Sequence, residues 1–432
     1  MARKFKLFFF LIIPLCLFSY GCAQNRGAGL QDETGATRSK KVYRGKIVAK
    51  SNRTETISIE LGNGDSTRIV MVNFDDRTRG IDHAVMGKQV IVTFKVSGGH
   101  ALATSIKAGL SGFAPGVSEI SVKKVKKLIA DGDDFTLIDS RPESQYKRSH
   151  LASAISIPSC EMNKNFGLLP EKKEQLLVFY CGGPICGMST IGSATAAHAG
   201  YKNIRVMLAG VEGWAEIGYP TYADDDFVAK GDAILIDLRA AGKNAAHRIA
   251  GSISIPSDTL DDRISDISKK ATVVVYSDKI QESLGALAAF KAAGFTSVSM
   301  VEGNLQGWEK RNRSITSGSV VTEINWTRKT GKGEVSPAAF KKAMSNRIDA
   351  VILDVRTSDE TAAGKLTGAK LVPLNELYER FEELPKDKKI YIYSATGARA
   401  EMAARLLKEN VFDAYFLVAD ISCHDGNCEM EF

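Results

Sequence analysis

The chain has 432 residues, too many for one hydrophobic core, since single cores stop growing near roughly 250–300 residues. Its 57 Lys and Arg against 50 Asp and Glu leave a formal charge of +7, spread along the chain. No basic stripe interleaved with aromatics occurs, so nucleic acid is not expected as a partner.

In chain order, the first element is not part of the fold. Arg3, Lys4 and Lys6 precede an apolar run, LFFFLIIPLCLF at 7–18. The run is too short to span a bilayer, which takes about 20 apolar residues, and reads as a secretory signal. It ends in SYGC, and the small Ser19 and Gly21 before Cys22 resemble a bacterial lipobox. Residues 1–22 are therefore read as a signal with Cys22 as the lipidation site, with cleavage after Ala23 to a soluble form as the alternative. Residues 23–40 are polar and rich in small side chains, as a flexible tether is. Ala23, where Asp would mark retention, favours the outer membrane. The expected location is the periplasmic side of the cell envelope, with the membrane met through the N-terminal lipid.

Residues 41–110 carry five short alternating runs separated by Asn, Gly and Asp. They predict strands and no helix, hence a small five-stranded OB-like β-barrel. The phrase GFAPGVS at 112–118 is a hinge.

From there one unit is written three times. LIDSR (137–141), HLASAISIP (150–158) and VFYC (178–181) are followed by LIDLR (235–239), RIAGSISIP (248–256) and VVYS (274–277). LDVR (353–356), KLTGAKLVP (365–373) and YIYS (391–394) make the third set. The Asp of the first phrase lies 42, 40 and 40 positions before Cys181, Ser277 and Ser394, so those three residues share one structural position. The apolar runs are short and β-branched or aromatic, as buried parallel strands are. Helical segments follow each Cys or Ser. The predicted units are residues 115–222, 223–315 and 331–432, with 316–330 as a linker.

These phrases, in this order and spacing, resemble rhodanese homology domains. The fold class is then α/β: three tandem rhodanese-like domains, each a parallel sheet with helices on both faces, behind the barrel. The resemblance implies that Cys181 is a catalytic nucleophile that takes a sulfane sulfur as a persulfide and passes it on. Ligands of open α/β sheets bind at the C-terminal strand ends, and a loop of converging amides before a helix favours a thiolate. The substrate loop is Gly182, Gly183, Pro184, Ile185, Cys186, Gly187, Met188 and Ser189. The family's usual loop is C-x-x-G-x-R-S/T; here Cys181 and Ser189 enclose seven residues, none charged. The loop is thus expected to lean on backbone amides, and thiosulfate to be a poorer donor than a polysulfide, a persulfide or another chalcogen species. Three readings stand for Cys186: a resolving thiol, a passive thiol and a metal ligand.

The second copy, with Ser277 beside Asp278 and Glu282, reads as a scaffold. The third keeps the family's Gly397 and Arg399 beside Ser394, a candidate anion loop. The Asp–Arg pairs persist without cysteine and read as structural. The C-terminal ISCHDGNCEMEF (421–432) reads as a hairpin with Asp-Gly in its turn and Cys423 disulfide-bonded to Cys428; a redox or metal-binding dithiol with His424 is the rival.

The expected function is an exported, membrane-anchored sulfurtransferase with a small sulfur donor, a thiol acceptor, no cofactor and no metal. Alternatives are a non-catalytic envelope protein that docks a protein partner or binds oxyanions, and a Cys181/Cys186 thiol–disulfide redox protein.

Overall fold

The computed structural model describes residues 41–61, 68–108, 113–183, 186–230, 233–362, 364–424 and 426–431. The readings placed on residues 1–40, Cys22 included, and on Pro184 and Ile185 lie outside these residues.

Strands β1 (Lys41–Ser51), β2 (Thr56–Leu61), β3 (Arg68–Asn73), β4 (Gln89–Ser97) and β5 (His100–Ala108) close into a barrel of order β1-β2-β3-β5-β4. Their alternating side chains fill its interior with Ile47, Ile57, Ile59, Val72, Val90, Val92 and Ile106. This is the OB-like module.

The first α/β unit holds β6 (Val117–Glu119), α1 (Val122–Asp131), β7 (Phe135–Asp139), α2 (Glu143–Arg148), β8 (Ile155–Ser156), β9 (Leu176–Tyr180), α3 (Met188–His198), β10 (Ile204–Met207) and α4 (Gly210–Glu216). The second holds β11 (Tyr222–Ala223), α5 (Asp225–Lys230), β12 (Ala233–Asp237), α6 (Ala241–Ala246), β13 (Arg248–Ile249), β14 (Ile253–Ser254), α7 (Leu260–Arg263), β15 (Thr272–Tyr276), α8 (Ile280–Ala292), β16 (Val298–Val301), α9 (Asn304–Lys310) and β17 (Ile315–Thr316). The third holds α10 (Pro337–Ser345), β18 (Ala350–Asp354), α11 (Ser358–Thr361), β19 (Lys370–Leu371), α12 (Leu374–Arg380), β20 (Lys389–Tyr393), α13 (Ala398–Glu409) and β21 (Ala414–Phe416), then the hairpin β22 (Asp420–His424) and β23 (Asn427–Glu431).

The sheet orders are β6-β10-β9-β7-β8, β11-β16-β15-β12-β14 and β19-β18-β20-β21, with parallel pairs throughout. Each sheet buries both faces, which is why its strands read as unbroken apolar runs. In the first unit Ile138, Leu177 and Phe179 face one core with Ala196 of α3. Leu137, Val178 and Tyr180 face the other with Val125 of α1 and Trp214 of α4. The predicted linker lies along the second unit, where Ile324 and Trp326 pack on its core.

At the end of the second strand pair of each unit sits one buried polar knot. Arg141, Arg239 and Arg356 hold Asp139, Asp237 and Asp354 at 2.6, 2.7 and 2.6 Å. The same guanidiniums donate to the carbonyls of Ser149, His247 and Gly364. Tyr276 and Tyr393 donate to the aspartates at 2.9 and 2.6 Å, and each tyrosine oxygen, Tyr180 included, accepts an amide from the following corner. The three aspartates are 0% exposed. Just beyond that corner the chain takes a left-handed turn, at Ser153 (φ 59°), Gly251 (φ 80°) and Gly368 (φ 73°). Only glycine enters that region freely, so the first copy holds a serine there against its backbone preference.

A buried charge that loses its partner costs more than the pair contributes. Asp237→Ala, in a copy with no cysteine, strands Arg239 in the interior. It is expected to destabilise its unit by about 3–5 kcal/mol, read as a lower urea midpoint.

Candidate functional site

Cys181 follows the last residue of β9, and its loop runs directly into α3. Gly187 caps that helix in the left-handed conformation (φ 75°), which turns the chain into it. From behind, α4 presses on the loop: the amides of Val211 and Glu212 donate to the carbonyls of Cys181 and Gly182, both at 2.9 Å. That approach requires Gly210, where a Cβ would stand 2.4 Å from the Cys181 carbonyl oxygen. A Cβ at Gly183 would meet the Glu212 carboxylate at 2.5 Å, whereas the space at Gly182 is open. Gly183 is therefore sterically required, and Gly182 is not.

The Cys181 sulfur lies 3.2 Å from the Ser189 hydroxyl, on the first turn of α3. Cys186 folds back into the loop: its sulfur accepts the Gly182 amide at 3.4 Å, and its own amide donates to the Gly183 carbonyl. Burial opposes ionisation of Cys181. The hydrogen bonds of the Cys186 thiol, the Ser189 hydroxyl and the backbone at Ser189 and Gly183 outweigh it, and the thiol comes down to about 7. Burial and the neighbouring Cys181 push Cys186 the other way, well above the ordinary thiol value. The two shifts run opposite ways, Cys181 toward the thiolate and Cys186 toward the thiol. The expectation of backbone amides alone is corrected: two side chains share the task. Cys181 and Cys186 are both free of disulfides.

Cys181 is 1% exposed and shares a cluster with Met188 and with Ala398, Ala400 and Met402 of α13. The third unit lies over the loop because α13 presents small residues and Met402 to it. The contact is pinned at its rim by Ser144 donating to Glu401 at 2.8 Å and by the ion pairs Lys164–Glu409 and Arg405–Glu161 at 2.6 and 3.0 Å.

The candidate anion loop of the third unit is already filled. Arg399 is tied to Glu360 by two hydrogen bonds of 2.6 Å, and the Ser394 hydroxyl accepts the amides of Gly397 and Ala400. Glu360, distant in sequence, was the partner that the loop pattern did not announce. In the second unit Ser277 donates to Glu282 and Asn304 accepts its amide, so that loop too is closed on itself. His150 stacks on Tyr146, and Trp214 and Trp308 are buried. In the hairpin Cys423 pairs with Cys428 in register and is joined to it by a disulfide. Among the described residues no group of three or more His, Cys, Asp or Glu is placed to hold a metal ion.

A pH titration of thiolate absorbance, taken as the difference from Cys181→Ala, is expected to show a midpoint near 7. Below that midpoint the sulfur is protonated and unreactive; above it the thiolate is fully formed. In Ser189→Ala the midpoint should rise by about one pH unit, the value of one hydrogen bond to a charged group.

Residues 121–217, 221–311 and 336–422 match the family model of the rhodanese-like domain. A tRNA uridine(34) hydroxylase of Cytophaga hutchinsonii is 34% identical over 100 residues, covering 22% of this chain and 31% of its own. A sulfurtransferase of Allochromatium vinosum is 29% identical over 76 residues, 18% of this chain and 71% of its own. Among solved structures, a thiosulfate sulfurtransferase from Pseudomonas aeruginosa is 17% identical, covers 69% of this chain and 66% of its own, and has a TM-score of 0.24. The chain spans 43%, 31% and 60% of the lengths of the first three curated relatives it matches. The three matched segments take up well over half of the sequence, and the chain belongs to the rhodanese-like domain family.

Proposed function

We propose that this protein is an exported, membrane-anchored sulfurtransferase that passes sulfane sulfur, or a related chalcogen, through a persulfide on Cys181. The observation that carries the reading is the placement of the Cys181 sulfur at the end of a parallel strand, 3.2 Å from the Ser189 hydroxyl and with Cys186 folded into the same loop, contacts that lower its pKa. The thiolate attacks the sulfane sulfur of a donor, the donor's sulfur–sulfur bond breaks, and the donor leaves with the bonding electrons. A thiol acceptor then attacks the outer sulfur and returns Cys181 to its starting state. Ser189 and the loop amides stabilise the anion in both states. The protein chemistry calls on no cofactor.

The donor class follows from the charges. The guanidiniums near the loop, Arg141 and Arg399, are already held by Asp139 and Glu360. Neither guanidinium is free to hold a dianion such as thiosulfate, and persulfides or polysulfides suit the site better. The signal-like run at 7–18 and Cys22 support export and lipid anchoring.

One observation favours a second reading. At 1% exposure Cys181 is covered by the third unit, as it would be in a non-catalytic docking protein of the cell envelope. Thiocyanate release separates the two. After treatment with inorganic polysulfide, the purified protein is expected to yield thiocyanate on addition of cyanide, and Cys181→Ser to fall by roughly a hundredfold or more. Thiosulfate in place of polysulfide should give the lower rate. A folded wild-type protein that never releases thiocyanate would contradict the sulfur-transfer reading and favour docking. For the anchor, incorporation of labelled fatty acid that disappears in Cys22→Ala is the expected result.

A further inference from the structure

The sulfur that the transfer needs is the one that the fold hides. Cys181 and Met188 belong to the core cluster of the third unit, and Cys160 and Cys186 pack against it. Strands β7, β9 and β10 of the first unit meanwhile fill two clusters of their own. The loop thus packs outward, against its neighbour. A reacting atom must come within about 3–3.5 Å of the sulfur, in line with the bond that breaks. With α13 in place and Cys181 1% exposed, that approach is blocked. Either the sulfur never reacts or its cover moves.

The cover is a contact of the kind that parts. Its apolar face is Ala398, Ala400 and Met402, and two alanines bury little area. Its rim is polar: Lys164, Arg405 and Glu409 are exposed, and exposed ion pairs contribute little and weaken with salt. Between α2 and α13 the two faces do not interlock. Pro142 and Pro158 of the first unit, Phe227 of the second and Met402 line a cavity of about 610 Å³ at the junction of the three units. The third unit also meets the barrel, where α11 lies against β5, a helix of a single turn. Units joined in this way move relative to one another unless the interface is large and apolar.

The connecting chain allows the movement. It is tied to the second unit as far as Trp326: the Val321 carbonyl accepts the Ser254 amide at 2.8 Å, and Ile324 and Trp326 pack on that unit's core. It is tied to the third unit from Gly333, whose carbonyl accepts the Phe416 amide at 3.0 Å. Residues 327–332 between these ties are exposed and form neither helix nor strand. Arg328 and Gly331 bond forward, to Glu334.

We propose that the third unit is a lid on Cys181. The sulfur meets its donor and its acceptor only while α13 is lifted from the loop, with residues 327–332 as the hinge, and the ion pairs of the rim set how often that happens. The purpose of the lid rests on the sulfur-transfer reading; its opening does not. The rate observed at the sulfur is its rate when uncovered multiplied by the fraction of molecules that are open. Whatever weakens the rim therefore speeds every reaction of Cys181 that opening limits.

The test is the rate at which iodoacetamide, an uncharged reagent, alkylates Cys181 in the full chain. It is read by mass spectrometry of the tryptic peptide 174–202, with fragmentation to tell the two cysteines apart. At about pH 9, above the Cys181 titration, the thiolate fraction stays constant. In low salt the rate is expected to lie roughly a hundredfold below that of the same cysteine in urea-unfolded protein. It should rise roughly fivefold when NaCl is raised to about 0.5 M. Lys164→Glu/Arg405→Glu sets like charges against Glu409 and Glu161, and should label roughly tenfold faster than the unaltered protein in low salt. The salt comparison makes the test independent of whether the double variant folds. A folded rate equal to the unfolded one, or one that salt leaves unchanged, would overturn the lid, as would a folded double variant that labels no faster. Failure of sulfur transfer reads differently: alkylation still quickens with salt, while polysulfide and cyanide yield no thiocyanate.

Discussion

The knot of aspartate, arginine and tyrosine that ends the central strands is the interaction on which each α/β unit depends. Three groups that could not be buried singly are buried together because each satisfies the others. The guanidinium also reaches a carbonyl eight residues on, and the tyrosine oxygen takes an amide from the same corner. The strand end, the helix after it and the next corner are thereby held in one geometry. In the first unit the residue after that tyrosine is Cys181, so the rigidity of the knot becomes the placement of the sulfur. The persistence of the knot in two copies without cysteine marks it as architecture and keeps Asp139 and Arg141 out of the chemistry.

The sulfur itself is governed by two opposed effects. Burial disfavours the thiolate, and donors aimed at it restore it. The balance is set by the Ser189 hydroxyl, the Cys186 thiol and the loop backbone. In the sulfur transfer proposed here, enclosure by α13 would keep a persulfide from water and stray thiols until it meets its acceptor. The third unit has Ser394 where the first has its cysteine, and its own loop is filled by Ser394 and Arg399–Glu360. It supplies a surface of small side chains, and Met402, to the first unit's loop. The second unit contributes Phe227 to the junction and is otherwise closed on its own polar contacts.

Much of this was legible in the sequence, and the reason is periodicity. Strands buried on both faces appear as unbroken apolar runs, and three repeats at near-constant spacing fixed the unit and placed Cys181 at a strand end. The knot was half visible: its Asp and Arg stand two apart and a tyrosine recurs before each Cys or Ser, but nothing in that spacing shows that the three side chains meet. Less was legible in the site. Ser189 as donor depends on how far α3 turns after Gly187. Arg399 looked free for an anion because Glu360 lies 39 residues away. The cover over Cys181 arises from packing between units, and no pattern within one repeat encodes how it meets another. The seven-residue spacing of the loop signalled a departure from the arginine-bearing form, but not that a second thiol would fold in to occupy it.

The central claim is that Cys181 carries sulfur. Mass spectrometry of the tryptic peptide 174–202, which contains both loop cysteines, tests it most directly after brief exposure of the reduced protein to a persulfide donor. The account predicts a gain of one sulfur atom, located on Cys181 by fragmentation and removed by a thiol acceptor. A peptide that returns unchanged, or only as the Cys181–Cys186 disulfide, would contradict it.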